Sequence, residues 1–322
     1  MRPSLTTPVV FMIFNRPELT ARVFNAIAQV KPKTVFVIAD GPRFPEEAGR
    51  CEEARSVLQR IDWDCEVNTN FSATNLGCKY RVASGLDWVF SQVEEAIILE
   101  DDCLPSPSFF FFCQQLLEKY RDDERIMWIT GNNFQNGHSR TEYGYYFSKY
   151  NHGWGWASWR RVWQFYDVEM KAWPNYKAAN LLPLMFDDSY EYRYWVPIFE
   201  DTFRGKIDTW DYQTRFLCWS QNGLTIIPNA NLVSNIGFGK DATHTTTASH
   251  LAEMPTHDMW EITHPPFVIR HREADLYTFD TMFGGQEMRM RDRQLHVRLK
   301  RKLSRLRTKI LHKLAVLKTY LP

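Results

Sequence analysis

The chain lacks any Cys-x-x-Cys pair, and its six cysteines, at positions 51, 65, 78, 103, 113 and 218, follow no metal-ligand spacing. Several lie in apolar or helix-patterned stretches, as reduced core cysteines do, which argues against a disulfide framework and for a reducing, cytoplasmic compartment. Long apolar runs are missing too. The first hydrophobic stretch, Pro8–Phe14, is too short for a secretory leader and ends in Asn-Arg-Pro, and nothing approaches the ~20 residues of a spanning helix. No internal repeat and no base-reading motif is present, so nucleic acid is not an expected partner. Net charge is almost absent at +1, yet that figure conceals a segregation. From Arg289 onward there are 12 Lys and Arg against one acid, Asp292, leaving 27 basic and 37 acidic residues in the body.

What the chain has in excess is aromatic surface: 15% of its 322 residues, including 12 Trp and 22 Phe. Planar apolar faces suit sugar rings or bases, although most of these rings must serve the core. The first 130 residues alternate strand and helix patterns. Val9–Phe14, Thr34–Ala39, Ala96–Leu99 and Ile126–Thr130 read as buried strands and Cys65–Asn68 as a weaker one. Glu18–Val30, Glu46–Arg60, Cys78–Gln92 and Ser108–Tyr120 read as helices. Such alternation predicts an α/β fold with a Rossmann-like, mostly parallel sheet and helices on both faces. From Asn132 to about His264 the pattern is irregular, aromatic and rich in Gly and Asn.

The tail differs in kind. Leu295, Leu299, Leu303, Leu306, Ile310, Leu314 and Leu317 recur at steps of three and four, with Lys and Arg over most of the remainder. This is a basic amphipathic helix, of the kind that lies on anionic membrane surfaces. Packing on the body, pairing with a second subunit and a nucleic-acid arm are the competing readings.

The densest chemistry is Glu100-Asp101-Asp102 at the end of the apolar run Ala96–Leu99. Adjacent acids repel and are costly to desolvate, so a fold gathers them where a cation offsets their charge. In an open α/β sheet the C-terminal strand edge is also where ligands bind. A solvated acidic turn is the alternative. Two further loops follow strands on the same edge, Asn15-Arg16-Pro17 and Asp40-Gly41-Pro42-Arg43. Together they offer a carboxylate, an arginine and a divalent-cation site, which suits a nucleoside diphosphate. Asn75-Leu76-Gly77 with Lys79 and Arg81 adds cations near a helix N-terminus, a natural anion site; an exposed helix face would explain the two cations equally.

The order of these motifs resembles the nucleotide-sugar-binding half of GT-A glycosyltransferases, and within them the N-acetylglucosaminyltransferase I branch (glycosyltransferase family 13). There a Glu-Asp-Asp triplet precedes Pro and a Phe-rich helix, as with Pro107-Ser108-Phe109-Phe110 here. Gly153-Trp154-Gly155-Trp156 and Thr209-Trp210-Asp211-Tyr212 are similar to that branch's two acceptor-side segments, the first also to bacterial glycosyltransferase-like proteins. The resemblance covers about residues 8–245. It implies a GT-A type fold in which residues 1–130 form the nucleotide-sugar-binding half and 131–265 the acceptor half of one domain. Residues 266–322 then form a C-terminal extension carrying the basic helix.

Position by position, the resemblance implies Asp102 as a direct ligand of Mn2+ or Mg2+, with Glu100 and Asp101 turned to ribose, sugar or supporting partners. Asp40 would bind the uracil edge, and Asn15 and Arg16 the diphosphate side. Asp211 would be the general base that deprotonates the acceptor hydroxyl, its carboxyl raised by the flanking Trp210 and Tyr212; a helix cap is the structural alternative. Tyr212 stands where the branch has a second acid. His152, Trp156 and Trp210 fall on the acceptor side, with core packing as the competing fate of any one Trp. His244, in the glycine-rich stretch after Gly237, is a candidate metal ligand, or else a surface histidine. The expectation is an inverting, metal-dependent transferase. It would move a sugar from a UDP-sugar to a glycan or lipid-linked acceptor of surface-polysaccharide or lipopolysaccharide type, at the inner membrane face. A sugar-1-phosphate nucleotidylyltransferase shares the alternation, but Asn15-Arg16-Pro17-Glu18 replaces the glycine-rich, lysine-containing loop expected there. A non-catalytic glycan-binding protein is the third reading.

Overall fold

A computed structural model describes residues 4–238, 251–294 and 298–308. Its first half is built by four strands, three with apolar runs buried on both sides and one polar, largely exposed strand at the sheet edge. They are β1 (Val9–Ile13), β2 (Thr34–Ala39), β3 (Glu66–Phe71) and β4 (Glu95–Glu100). Helices α1 (Pro17–Val30), α2 (Ala48–Ser56) and α3 (Gly77–Phe90) connect them. Pro17 starts α1, where its fixed φ and missing N–H cost nothing. The four strands are parallel in the order β3-β2-β1-β4. The chain therefore steps outward from β1 to β3 and then jumps back across β1 to lay down β4. That reversal opens a crevice between the C-terminal ends of β1 and β4, the position where doubly wound sheets bind ligands.

After β4 come the short β5 (Cys103–Pro105), α4 (Pro107–Lys119) and β6 (Ile126–Thr130). Helix α1 packs on α2 and α4, while α3 packs on β2; right-handed crossovers put α3 on the opposite face. The span 131–265, irregular by pattern, supplies three more strands to the same sheet: β7 (Tyr145–Ser148), β8 (Trp156–Trp159) and β9 (Leu224–Pro228). The full order is β3-β2-β1-β4-β8-β6-β9-β7, with β8 antiparallel to β4 and β6, and β7 antiparallel to β9. A two-stranded ladder joins β10 (Val233–Asn235) to β5.

The remaining helices are α5 (Arg160–Trp163), α6 (Trp173–Ala178), α7 (Ser189–Phe203), α8 (Asp211–Ser220), α9 (Arg272–Met282) and α10 (Gly285–Arg293). The predicted helix Glu46–Arg60 is α2 flanked by tighter 3-10 turns. Trp128, Trp156, Trp163 and Trp210 stack in the core around β8. Trp156 is fully buried and stacks on Trp128 with ring centroids 3.8 Å apart. Among the described residues no helix is long and apolar enough to cross a membrane.

Candidate active site

The crevice between β1 and β4 holds two cavities, of about 310 and 500 Å³, that share Arg16, Cys78, Glu100 and Asp208. Both volumes fall in the range of small-molecule sites. The smaller one follows the ends of β1 and β2 and is lined by Phe14, Asn15, Asp40, Arg43, Asn75, Gly77, Arg81 and Asp101, among others. The larger lies toward the second half of the chain, against Asp102, Trp154, Asp208, Trp210, Asp211, Tyr212 and Asn235.

Arg16, at the start of α1, reaches across to the acid triplet. Its Nη1 donates to Asp102 Oδ2 at 3.0 Å, its Nε to Asp101 Oδ2 at 3.3 Å, and its Nη2 to Asp101 Oδ1. Burial weakens the guanidinium's hold on its proton, but the two carboxylates more than offset that, and the net shift is upward. Burial raises the Asp101 carboxyl to about 6, with Arg16 opposing and Asp102 reinforcing. Glu100 is pushed well above the usual carboxylate range by burial and then by Asp102 and Asp101. Its carboxylate accepts no hydrogen bond from the described residues. Cys78, where the two cavities meet, is surrounded by acids. Burial and then Glu100 and Asp211 push its thiol up, away from the thiolate that a nucleophile needs.

The ladder between β5 and β10 brings the stretch before the glycine-rich segment alongside the triplet. Ile236 N donates to the Asp102 carbonyl at 2.8 Å. Gly237 lies so close that a Cβ there would meet the Asp102 Cβ at 2.6 Å, which only glycine avoids. Phe238 meets Trp154 edge to face, ring centroids 5.6 Å apart. His244 lies outside the described residues.

Asp40 reaches the smaller cavity but is bound by its own loops. Its oxygens accept from Gly41 N at 2.9 Å, Leu76 N at 2.9 Å, Gly77 N at 3.0 Å and Asn75 Nδ2 at 3.1 Å. The anion at the N-terminus of α3 is thus internal. Lys79 and Arg81, expected to complete an anion site there, are each held by other groups of the fold. Lys79 is buried and pairs with Glu169 at 3.3 Å. Arg81 lines the cavity, but its Nε donates to the Ala39 carbonyl at 3.1 Å and its Nη2 to the Asn70 side chain at 2.9 Å. Asn15 donates to Glu47, which also holds Arg43.

On the acceptor side two expectations are corrected. Trp156 presents no face to the cavity, because β8 needs it inside the sheet's core. The ring of that segment that does reach the cavity is Trp154. His152 is likewise buried, edge-on to Phe134 at 4.6 Å; burial and then Arg215 lower it to about 3. Trp210 lines the cavity wall from a buried position. Asp211 is the first residue of α8 and is exposed on that wall, with Oδ1 accepting from the Thr209 hydroxyl. The aromatic enclosure expected around it is therefore absent. Sequence reasoning missed Asp208, which lines both cavities. Its spacing of three from Asp211, just before the segment Thr209–Tyr212, was the available signal.

Glu100, Asp102, Asp208 and Asp211 face the larger cavity against Arg16, the one cation among its described lining residues. Among the described residues no group of three or more His, Cys, Asp or Glu is arranged to hold a metal ion. Two carboxylates with substrate phosphates completing the shell is nevertheless a common mode for Mg2+, and hard oxygen donors suit Mn2+ equally. On the donor chemistry of Glu100 and Asp102, the site fits such an ion.

No protein-family model matches the chain, and no curated protein sequence matches it. Solved structures do show a likeness. S. aureus TarS (1–349) is 10% identical, with 49% of this chain and 48% of that chain covered and a TM-score of 0.36. HddC from Yersinia pseudotuberculosis is 8% identical over 50% of this chain and 80% of that one, TM-score 0.33. A UDP-glucose pyrophosphorylase complexed with UDP-glucose is 9% identical over 50% and 78%, TM-score 0.29. The chain thus spans about half the length of the TarS chain it matches.

Proposed function

We propose that this protein is a metal-dependent, inverting glycosyltransferase of GT-A type that moves a sugar from a UDP-sugar to a hydroxyl of a glycan or lipid-linked acceptor. One observation carries the reading: two cavities meet at the β1–β4 reversal, and an acid triplet and an arginine stand at their junction. The smaller cavity takes the nucleotide, with Asp40 fixing the loop that frames the base and Arg43 and Arg16 facing the diphosphate. The larger takes the acceptor, against Trp154 and Trp210. The motif order shared with the N-acetylglucosaminyltransferase I branch supports the inverting course and an N-acetylhexosamine donor.

Asp102 and Glu100 would hold the divalent ion, which supplies charge neutralisation at the leaving diphosphate. Asp211, exposed on the acceptor wall, takes the proton of the attacking hydroxyl. Asp208, at the junction, orients the sugar. Incubation with UDP-hexoses and UDP-N-acetylhexosamines in Mn2+ tests the reading through release of UDP. Release of pyrophosphate from a sugar 1-phosphate and UTP would instead assign nucleotidylyl transfer. Folded protein that binds no UDP and releases none overturns the proposal.

A further inference from the structure

We infer that the helical segment 298–308 is a docking surface for an anionic lipid bilayer. All eleven of its residues are exposed. Leu299, Leu303 and Leu306 are 53%, 66% and 57% exposed, and their spacing of four and three aligns them along one side of the helix. Around them stand six cations, Arg298, Lys300, Arg301, Lys302, Arg305 and Arg307, and no acid. Among the described residues only Arg301 is engaged, by Asp292 of α10 at 2.6 Å. The body leaves the leucine row uncovered.

Each alternative occupant uses half of this surface. A nucleic acid would take the cations and leave the leucines wet. A second copy of the helix would cover the leucines but set six cations against six. An anionic bilayer takes both: leucines sink to the acyl boundary while Lys and Arg keep their charges at the headgroups. The body, with 27 basic and 37 acidic residues before Arg289, is repelled by the same surface. The tail therefore docks and the body stands off. This inference does not rest on the sugar-transfer reading.

The test is flotation of the full chain with vesicles of phosphatidylcholine alone or mixed with phosphatidylglycerol. Binding is expected to the anionic vesicles only and to weaken with salt. The triple variant Leu299→Ser, Leu303→Ser, Leu306→Ser keeps every charge, and Lys300→Gln, Lys302→Gln, Arg305→Gln keeps every leucine. Each should lower partitioning at least about tenfold with an unchanged melting temperature, since neither touches the core. Failure of the wild type to float with anionic vesicles overturns the proposal, as does full binding by the leucine variant. A wild-type dimer in sedimentation that the leucine variant converts to monomer also overturns it, by assigning the face to a second copy.

Discussion

The guanidinium of Arg16 lies between two consecutive carboxylates, hydrogen-bonded to Asp101 and 3.0 Å from Asp102 Oδ2. It is the counter-charge of the triplet when no other cation is there. Asp101 is 2% exposed, so removing its partner leaves a buried charge uncompensated, which typically costs about 3–5 kcal/mol. Arg16→Met should therefore melt well below the wild type. Added Mn2+ should raise the melting temperature of Arg16→Met more than that of the wild type, because the ion fills the vacated role. Equal, negligible shifts in both proteins would mean that the triplet holds no metal. The measurement requires no substrate.

Asp211 and Asp208 should make separable contributions. Both are exposed, so their amides should leave stability within about 0.5 kcal/mol. Asp211→Asn removes the proposed base and should lower kcat by about 10²–10⁴ while UDP affinity is unchanged. Asp208→Asn, at the junction of the cavities, should raise KM for the donor sugar more than it lowers kcat. Titration with UDP and steady-state kinetics distinguish them. A reversed pattern would exchange their roles.

How much of this was legible follows from where the signal sits in the chain. The strands β1, β2 and β4 announce themselves because each is a short apolar run ended by turn chemistry, and their order places three loops on one edge. The span after Asn132 gave no such sign. Strand β8 is Trp-Ala-Ser-Trp, whose buried aromatics read equally as a binding surface, and only the antiparallel pairing of Ile98 with Trp156 shows them as sheet interior. Lys79 and Arg81 look free in sequence because Glu169 and the Asn70 strand edge, which hold them, are brought near only by the fold.

The pH dependence of stability should carry the signature of His152. Its folded value is lowered from 6.5 to about 3 by burial, so between those values the unfolded chain binds a proton that the folded one does not. Stability is complete above 6.5 and is lost as pH falls toward 3, by up to roughly 5 kcal/mol. Asp275, raised to about 6 by burial, has the opposite sign: its contribution falls as pH rises from 3.8 to 6. Wild-type curves mix the two. The difference between wild type and His152→Gln in urea melts isolates the histidine, and should widen in favour of the variant as pH drops from 6.5 to 4.

Trp154 and Trp156, two residues apart, should respond in opposite ways. Trp156 is fully buried within 3.8 Å of Trp128 and also stacks on Trp163 and Trp210. Its replacement by Ala opens a large cavity and should cost about 3–5 kcal/mol; in Trp156→Phe, which keeps much of the stack, acceptor KM should be unchanged. Trp154 is half-buried, edge-on to Phe134 and Phe238, and lines the larger cavity. Trp154→Ala should cost less stability than Trp156→Ala but raise acceptor KM about fivefold, since ring stacking is worth about 1 kcal/mol. Denaturant melts and acceptor titrations on the three variants provide the check. A shift in acceptor KM for Trp156→Phe with none for Trp154→Ala would mean that the acceptor does not enter the larger cavity along this wall.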